Sequence, residues 1–215
     1  MNLTILSQII GFLVALTVHE FSHAFAANRL GDPTAKYLGR LSLNPLKHID
    51  WFGTVTLPLM LVLLRSPFVF GWAKPVPVNP YNLKGKYGES WVSLAGPAAN
   101  FVVAALLVLI LRVTPDYIIA SWTKDFLKLI IYVIVINVTF GVFNLIPIPP
   151  LDGSKILIDI LPASQNRVKE FLNRYGIMLL MIFILFGGSF LFLAIIFVLR
   201  LMGLSNDEIM LIMER

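Results

Sequence analysis

Four apolar stretches of the chain are long enough to cross a lipid bilayer, and they restrict what the chain can fold into. We predict spanning helices over residues 3–30, 91–111, 126–146 and 176–199, because about 20 apolar residues in a helix cover the hydrocarbon core. Of the 215 residues, 58% are hydrophobic and 13% are charged, which is far more apolar surface than a water-soluble domain of this size buries. The pattern predicts an all-α polytopic membrane protein.

A fifth apolar stretch, residues 51–70, is interrupted by Pro58, Arg65 and Pro67. Proline breaks helical hydrogen bonding, so this stretch predicts a kinked helix or a re-entrant segment. Before it, residues 36–43 partly alternate between apolar and polar side chains, which favours a short strand or hairpin. The full expectation is about four to five transmembrane helices, one broken segment and a small β-sheet at the cytoplasmic side.

Basic loops predict the orientation of these segments. Residues 29–47, 74–86 and 155–174 hold 11 of the 17 lysines and arginines, and such residues collect in cytoplasmic loops next to spanning helices. With all three loops in the cytoplasm, the first helix runs from outside to inside. We therefore expect a multi-pass plasma-membrane protein. The lysines and arginines of these loops then account for the net charge of +5. The sequence has no basic stretch interleaved with aromatic residues, so we expect no binding of nucleic acid.

The sequence His-Glu-Phe-Ser-His occupies residues 19–23, inside the first apolar stretch. Two residues four apart on a helix point about 40° apart, so His19 and His23 can bind one metal ion. Glu20 can then reach a water held by that metal, which is the arrangement of a zinc peptidase. Short matches of this kind also arise by chance. At membrane depth, however, ionisable groups are costly unless they are paired or bind a metal, which favours a functional site.

A catalytic zinc normally takes three protein ligands, and the absence of cysteine restricts the third to nitrogen or oxygen. Asp152 is the best candidate, because it follows a span in a proline-rich turn and Gly153 lets the backbone bend beside it. Its alternative role is that of a helix N-cap. His48, Asp50 and Asp159 are further candidates, and we expect all three to be surface or interfacial residues.

Several segments together make the chain resemble the site-2 proteases, which are intramembrane zinc metalloproteases. The resemblance covers nearly the whole chain, and the loop residues 71–79 are most similar to those of short bacterial and archaeal members. It rests on the residues 19–23, on Gly96-Pro97-x-x-Asn100, on the loop Gly-Trp-Ala-Lys-Pro-Val-Pro-Val-Asn (71–79) and on Asn-Leu-Ile-Pro-Ile-Pro-Pro-Leu-Asp-Gly (144–153).

The resemblance implies a complete site. One zinc ion per chain would be bound by His19, His23 and Asp152, and Glu20 would activate a zinc-bound water as the catalytic residue. Asn144 would help to hold the substrate near the metal; its alternative role is a helix–helix hydrogen bond. The loop 71–79 is either a lid or a substrate-binding edge, or else a plain connection. For Asn100 and Asn137 we expect helix–helix hydrogen bonds.

The resemblance also implies a substrate class and partners. Family members hydrolyse peptide bonds in transmembrane or membrane-proximal segments of membrane proteins, near the cytoplasmic face. Unlike many relatives, this chain has no helix before the first span, no PDZ-like insertion and no nucleotide-sensing domain, so we expect a single metalloprotease domain over 1–215. We expect a membrane partner to supply the regulation or substrate presentation that the PDZ-like and nucleotide-sensing domains supply in those relatives.

Two other functions are compatible with the same residues. A membrane divalent-metal transporter would use the histidines and the aspartate as a transit site, but it needs polar residues that continue to the far side. Here the ionisable residues gather at one face, and the outer halves of the spans are apolar. A catalytically silent relative that only binds membrane helices would have no use for Glu20.

Overall fold

The computed structural model describes residues 3–64 and 71–211, and most of this part of the chain is helical. Single turns of 3-10 helix occur at Pro45–Lys47, Pro80–Asn82 and Ala163–Gln165, and a π-helical turn occurs at Trp51–Thr56. The α-helices are α1 (Leu3–Arg29), α2 (Thr34–Tyr37), α3 (Leu57–Leu63), α4 (Gly88–Val113), α5 (Asp116–Ile119), α6 (Lys124–Asn144), α7 (Asp152–Ile160), α8 (Asn166–Phe186), α9 (Gly188–Leu201) and α10 (Asn206–Met210).

The helices α1, α4 and α6 pack against one another and form the centre of the molecule. Each is long and apolar enough to cross a bilayer. Their contacts are close because small residues lie between them: a Cβ added at Gly11 of α1 would meet Ile136 at 2.8 Å, and one at Gly141 of α6 would meet Phe101 at 2.7 Å. Small residues let helix backbones approach, which is how membrane helices gain packing energy.

The last predicted span is bent. Together, the helices α8 and α9 are long and apolar enough to cross a bilayer, but they meet at an angle of 77° at Gly187. The helix α9 packs against α6. The described residues therefore contain three helices that can cross a membrane, or four if this broken pair is one span. The prediction of an all-α membrane protein agrees with this architecture.

The predicted strand or hairpin at residues 36–43 is wrong. Within residues 3–64 and 71–211 there is no β-strand, and the chain instead forms the short helix α2 and a turn in which Gly39 has a φ of 67°. Asp32 starts this helix by accepting hydrogen bonds from the N–H and the hydroxyl of Thr34. Burial does not follow the apolar–polar alternation, because the polar Arg40 is buried whereas residues 36–39 are all exposed.

The broken apolar segment begins as a helix. Asp50 caps it by accepting a hydrogen bond from Gly53 N–H at 2.7 Å, and the π-helical turn then continues directly into α3. The end of the segment, residues 65–70, lies outside the described residues.

Residues 71–79 contain no helix or strand, and this segment, termed the extended segment, contacts α1 through the hydrogen bond from Val76 N–H to Glu20. Two backbone hydrogen bonds attach its first half to the polar loop before it: Trp72 N–H donates to Gly53 O at 3.1 Å, and Lys74 N–H donates to His48 O at 3.0 Å. The guanidinium of Arg40 is buried against the same junction and donates to the carbonyl oxygens of Lys47, Lys74 and Pro75.

The second half of this segment is attached to the end of α1 by Asp32. Its carboxylate accepts hydrogen bonds from Asn79 N–H at 2.7 Å and from the Asn82 side-chain amide at 3.0 Å, in addition to those from Thr34. Burial raises the pKa of Asp32, but the hydrogen bonds outweigh it and hold the pKa below its ordinary value. The extended segment is thus fixed at both ends.

Candidate functional site

The two histidines and the glutamate of residues 19–23 lie in the second half of α1, on its buried side. His19, Glu20 and His23 are 4%, 8% and 8% exposed. The Nε2 atoms of the two imidazoles are 3.0 Å apart, as the helical spacing predicts. Both rings face Gly96 of α4 and Asp152 of α7.

Asp152 joins the two histidines from the far end of the sequence. It is the first residue of α7, and its Oδ2 atom lies 3.1 Å from the Nε2 of His19 and 3.1 Å from the Nε2 of His23. The tight turn before α7 requires the glycine that follows: a Cβ added at Gly153 would lie 2.2 Å from the carbonyl oxygen of Leu145. These three side chains form a buried cluster that could hold a metal ion.

The other nitrogen of each imidazole determines which tautomer is present. His19 Nδ1 lies 2.8 Å from Asn100 Oδ1, and His23 Nδ1 lies 2.7 Å from the carbonyl oxygen of Val92. Both partners are acceptors, so both Nδ1 atoms carry the proton and both Nε2 atoms present a lone pair. Hydrogen-bonding partners of this kind orient histidines that bind metals.

The donor set fits zinc. Two Nε2 lone pairs and a carboxylate oxygen, all within 3.1 Å of one another, repel one another unless a cation lies between them. Zinc bonds to nitrogen and oxygen of about 2.0–2.2 Å in a tetrahedral geometry separate the ligand atoms by about 3.3–3.5 Å. The observed triangle therefore needs to expand by only a few tenths of an ångström.

Asn100 belongs to this site and also makes the helix–helix hydrogen bonds expected from the sequence. Its amide nitrogen donates to Ala15 O at 3.0 Å and to Asn137 Oδ1 at 2.9 Å, while its oxygen accepts from His19. Asn137 in turn donates to Val133 O at 2.8 Å. Asn100 and Asn137 are fully buried. The sequence feature that indicates this role is the spacing of Gly96 and Asn100. Asn100 lies one helical turn after Gly96, on the same face of α4.

Gly96 brings the backbone of α4 directly against the two imidazoles. A Cβ added there would lie 2.5 Å from His23 Nε2 and 2.8 Å from His19 Cε1. Any side chain at this position would intrude on the Nε2 atoms that face Asp152.

Glu20 lies beside the cluster and contacts the extended segment. Its Oε2 atom accepts a hydrogen bond from Val76 N–H at 3.0 Å. Asn144 lies at the end of α6, and its amide nitrogen donates to Phe140 O at 3.0 Å. The side chains of Glu20 and Asn144 line the same two cavities, of about 340 Å³ and about 170 Å³, and so does His19.

The other candidates for a third ligand lie outside the cluster. The expectation of a surface or interfacial His48 is wrong, because its ring is fully buried, with Nε2 2.7 Å from Ser42 O. Asp50 caps the π-helical turn. Asp159 accepts hydrogen bonds from the backbone and hydroxyl of Ser90 and so links α7 to the start of α4.

Comparison with known proteins assigns the chain to a family. A model of "Peptidase family M50" matches residues 117–186. The chain is 36% identical over 187 residues to "Putative zinc metalloprotease YwhC" of Bacillus subtilis, and the match covers 85% of this chain and 82% of that protein. The chain belongs to peptidase family M50. Within this family it is also 34% identical to "Putative zinc metalloprotease Rip2" of Mycolicibacterium smegmatis, over 82% of this chain and 66% of Rip2.

The Rip2 of Mycobacterium tuberculosis is 32% identical, again over 82% of this chain and 66% of its own length. No solved structure gives a significant match. Membership of peptidase family M50 confirms the resemblance to the site-2 proteases. Together with the cluster of His19, His23 and Asp152, it identifies a zinc metalloprotease with several membrane-spanning helices and disfavours the metal-transporter alternative.

Proposed function

We propose that this protein is an intramembrane zinc endopeptidase. It hydrolyses peptide bonds in transmembrane or membrane-proximal segments of membrane proteins, near the cytoplasmic face of the plasma membrane. The observation that carries the proposal is that Asp152 lies 3.1 Å from both His19 and His23. The two histidines and Glu20 lie in the second half of α1, an apolar helix of 27 residues. The basic loops support the cytoplasmic orientation, and we treat residues 1–215 as one protease domain.

In this proposal His19, His23 and Asp152 bind the zinc ion. Bound there, zinc supplies a Lewis acid that polarises a carbonyl group and lowers the pKa of a coordinated water to about 7. Asn100 and Asn137 keep the His19 ring in the orientation in which Nε2 faces the metal, through the hydrogen bonds at 2.8 and 2.9 Å. The carbonyl of Val92 does the same for His23.

Glu20 is the general base and then the general acid. Its carboxylate removes a proton from the attacking water and later donates that proton to the nitrogen of the leaving amine. The hydrogen bond from Val76 N–H holds one carboxylate oxygen in place. Asn144, whose amide has two N–H groups, uses the one that does not bond to Phe140 O to hold the substrate backbone.

The extended segment 71–79 is the substrate-binding edge rather than a plain connection. In extended backbone the peptide groups of successive residues point to opposite sides. Trp72 and Lys74 direct theirs toward residues 48–54, and Ala73 between them lines the 340 Å³ cavity. A substrate unwound from its helix can pair with Ala73, which satisfies backbone groups that would otherwise be unpaired in the membrane.

The proposal is tested by cleavage in a defined bilayer. Purified protein is reconstituted into proteoliposomes with a panel of single-span peptides, and the products are mapped by mass spectrometry. We expect cuts inside or beside the apolar segment, near its cytoplasmic end, that stop after removal of metal by a chelator and return with added zinc. Cleavage that continues without metal contradicts the proposal. Zinc flux across the bilayer without any cleavage would instead support a transporter.

Substitution of Gly96 is expected to weaken zinc binding. The added methyl group of Gly96→Ala would lie 2.5 Å from His23 Nε2 and displaces the two imidazoles from Asp152. We expect the zinc dissociation constant to rise by about 10–100-fold, as for other disturbances next to metal ligands, with a parallel loss of turnover. Competition with a fluorescent chelator measures the affinity.

Gly188→Ala is the matched control, because a Cβ at Gly188 meets no atom within 4 Å. It makes the same chemical change in another apolar helix and leaves zinc affinity unchanged. Equal zinc affinity in Gly96→Ala and Gly188→Ala would contradict the close contact of α4 with the metal site.

A further inference from the structure

A mainly apolar cavity of about 340 Å³ extends from the candidate site between α1, α6 and residues 71–75. Near the site it is lined by His19, Glu20 and Asn144. Farther along both helices its lining is almost wholly apolar. The other lining residues on the two helices are Phe12, Leu16, Thr139, Phe140 and Phe143, and the Phe140 ring also packs against His19, with ring centroids 6.0 Å apart.

Aromatic side chains line the part of this cavity that lies toward the start of α1. Phe12 and Phe140 pack edge to face, with ring centroids 5.7 Å apart. Beyond them the two helices come together, because Gly11 lets α1 approach the backbone of Tyr132 on α6. Phe12 precedes Glu20 by eight residues, so the lining residues of α1 extend over about 12 Å of the helix axis.

The size and lining of the cavity suit one large apolar side chain. Its volume is at the low end of the range for ligand pockets, and a charged side chain would find no partner among the apolar lining residues. Because the cavity begins at Glu20 and Asn144, a side chain inside it belongs to a residue next to the scissile bond. The edge residue Ala73 lines the same cavity, so a paired substrate strand passes across its mouth.

We propose that this cavity is the specificity pocket of the protease, and that it receives a large aliphatic or aromatic side chain from one of the two residues that flank the scissile bond. The inference rests on the proposed function and adds to it a rule for the choice of cleavage site. Phe12 and Thr139 set the depth and width of the pocket and so determine which side chain fits.

The expected selectivity is smaller than in a water-soluble protease. There, one methylene group in an apolar pocket changes kcat/KM by about 10–200-fold, partly because the side chain leaves water. Here the side chain leaves lipid, which is as apolar as the pocket, so only the difference in packing contributes. We therefore expect kcat/KM for leucine to exceed that for alanine by about tenfold.

The experiment uses two variants that change the pocket in opposite directions. Single-span peptides carry Ala, Leu, Phe or Trp at each position that flanks the mapped cleavage site, and kcat/KM is measured in proteoliposomes. Phe12→Ala removes an aromatic ring from the lining and is expected to raise the ratio of Trp to Leu cleavage by about tenfold. Thr139→Leu adds volume to the wall and is expected to lower the ratio of Leu to Ala cleavage by about tenfold.

Phe190→Ala on α9 is the matched control for the loss of a phenyl ring, because Phe190 is 70% exposed on the outside of the helices. It keeps the wild-type ratios. Zinc content and thermal unfolding verify that each variant is folded, and either pocket variant alone is sufficient for the test. Unchanged ratios in folded, zinc-loaded variants overturn the inference and leave the proposed function intact, with a lipid acyl chain as the occupant of the cavity. Failure of the wild type to cleave any peptide defeats the proposed function itself.

Discussion

Asp152→Ala is expected to abolish stable zinc binding and, with it, all turnover. The two imidazoles that remain supply only two neutral ligands, whereas a catalytic zinc site takes three. Loss of a residue that merely orients a ligand costs about 10–100-fold in metal affinity, so loss of a charged ligand should cost at least 100-fold. The zinc content measured after gel filtration should fall from one ion per chain to near zero. Competition with a chelator gives the zinc affinity.

Asp159→Ala is the control for this prediction. Asp159 is a second carboxylate of the same helix and an alternative ligand on sequence grounds, but its partners are the backbone and hydroxyl of Ser90. Its removal costs stability, on the order of 1–3 kcal/mol, and leaves zinc bound. Wild-type zinc affinity in Asp152→Ala would exclude Asp152 as a ligand.

Glu20→Gln is expected to separate metal binding from catalysis. Glutamine has the same shape and its side-chain oxygen can still accept the hydrogen bond from Val76 N–H, so the fold and the zinc site should be retained. It cannot accept a proton from water, and general acid–base catalysis contributes about 10²–10⁴-fold. Turnover should therefore fall by at least 100-fold, while zinc stays at one ion per chain.

Glu89→Gln provides the matched control for Glu20→Gln. Glu89 is exposed and lines a small polar cavity together with Val76 and Lys155, so the same loss of a carboxylate occurs close to the site but not beside the metal. Its turnover should equal that of the wild type. A similar fall in both variants would attribute the effect of Glu20→Gln to the charge of the region rather than to proton transfer.

The parts of the site that follow from local geometry could be read from the sequence. The helical period alone predicts that His19 and His23 face one point, and their Nε2 atoms do lie 3.0 Å apart. Asp152 could be predicted as the third ligand for two reasons. The basic loops indicate that the first span and the span at residues 126–146 run parallel, and Gly153 allows a tight turn beside Asp152. The apolar stretches likewise predicted α1, α4 and α6, since bilayer thickness fixes the length of a spanning helix.

The parts that depend on tertiary hydrogen bonds could not be read in this way. The strand expected at residues 36–43 is a helix and a turn, because Asp32 accepts two hydrogen bonds from Thr34 at the start of α2 and Arg40 donates to three backbone carbonyls inside the protein. The extended segment lies at residues 71–79 instead, where it is fixed by contacts with residues far away in sequence. The role of Asn100 depends in the same way on His19, which is 81 residues distant.

The bend of 77° between α8 and α9 was also missed. The sequence shows only two glycines inside an apolar stretch, and glycines inside membrane helices are common without a bend. The packing of α9 against α6 sets its direction, and this contact has no local signature.

The central claim is that His19, His23 and Asp152 hold one zinc ion beside Glu20, which acts as proton carrier. The most direct test measures zinc per chain and peptide cleavage in the same proteoliposome preparations of the wild type, Glu20→Gln and Asp152→Ala. The account predicts zinc with cleavage in the wild type, zinc without cleavage in Glu20→Gln, and neither in Asp152→Ala. Cleavage at the wild-type rate by Glu20→Gln, or a full complement of zinc in Asp152→Ala, would contradict it.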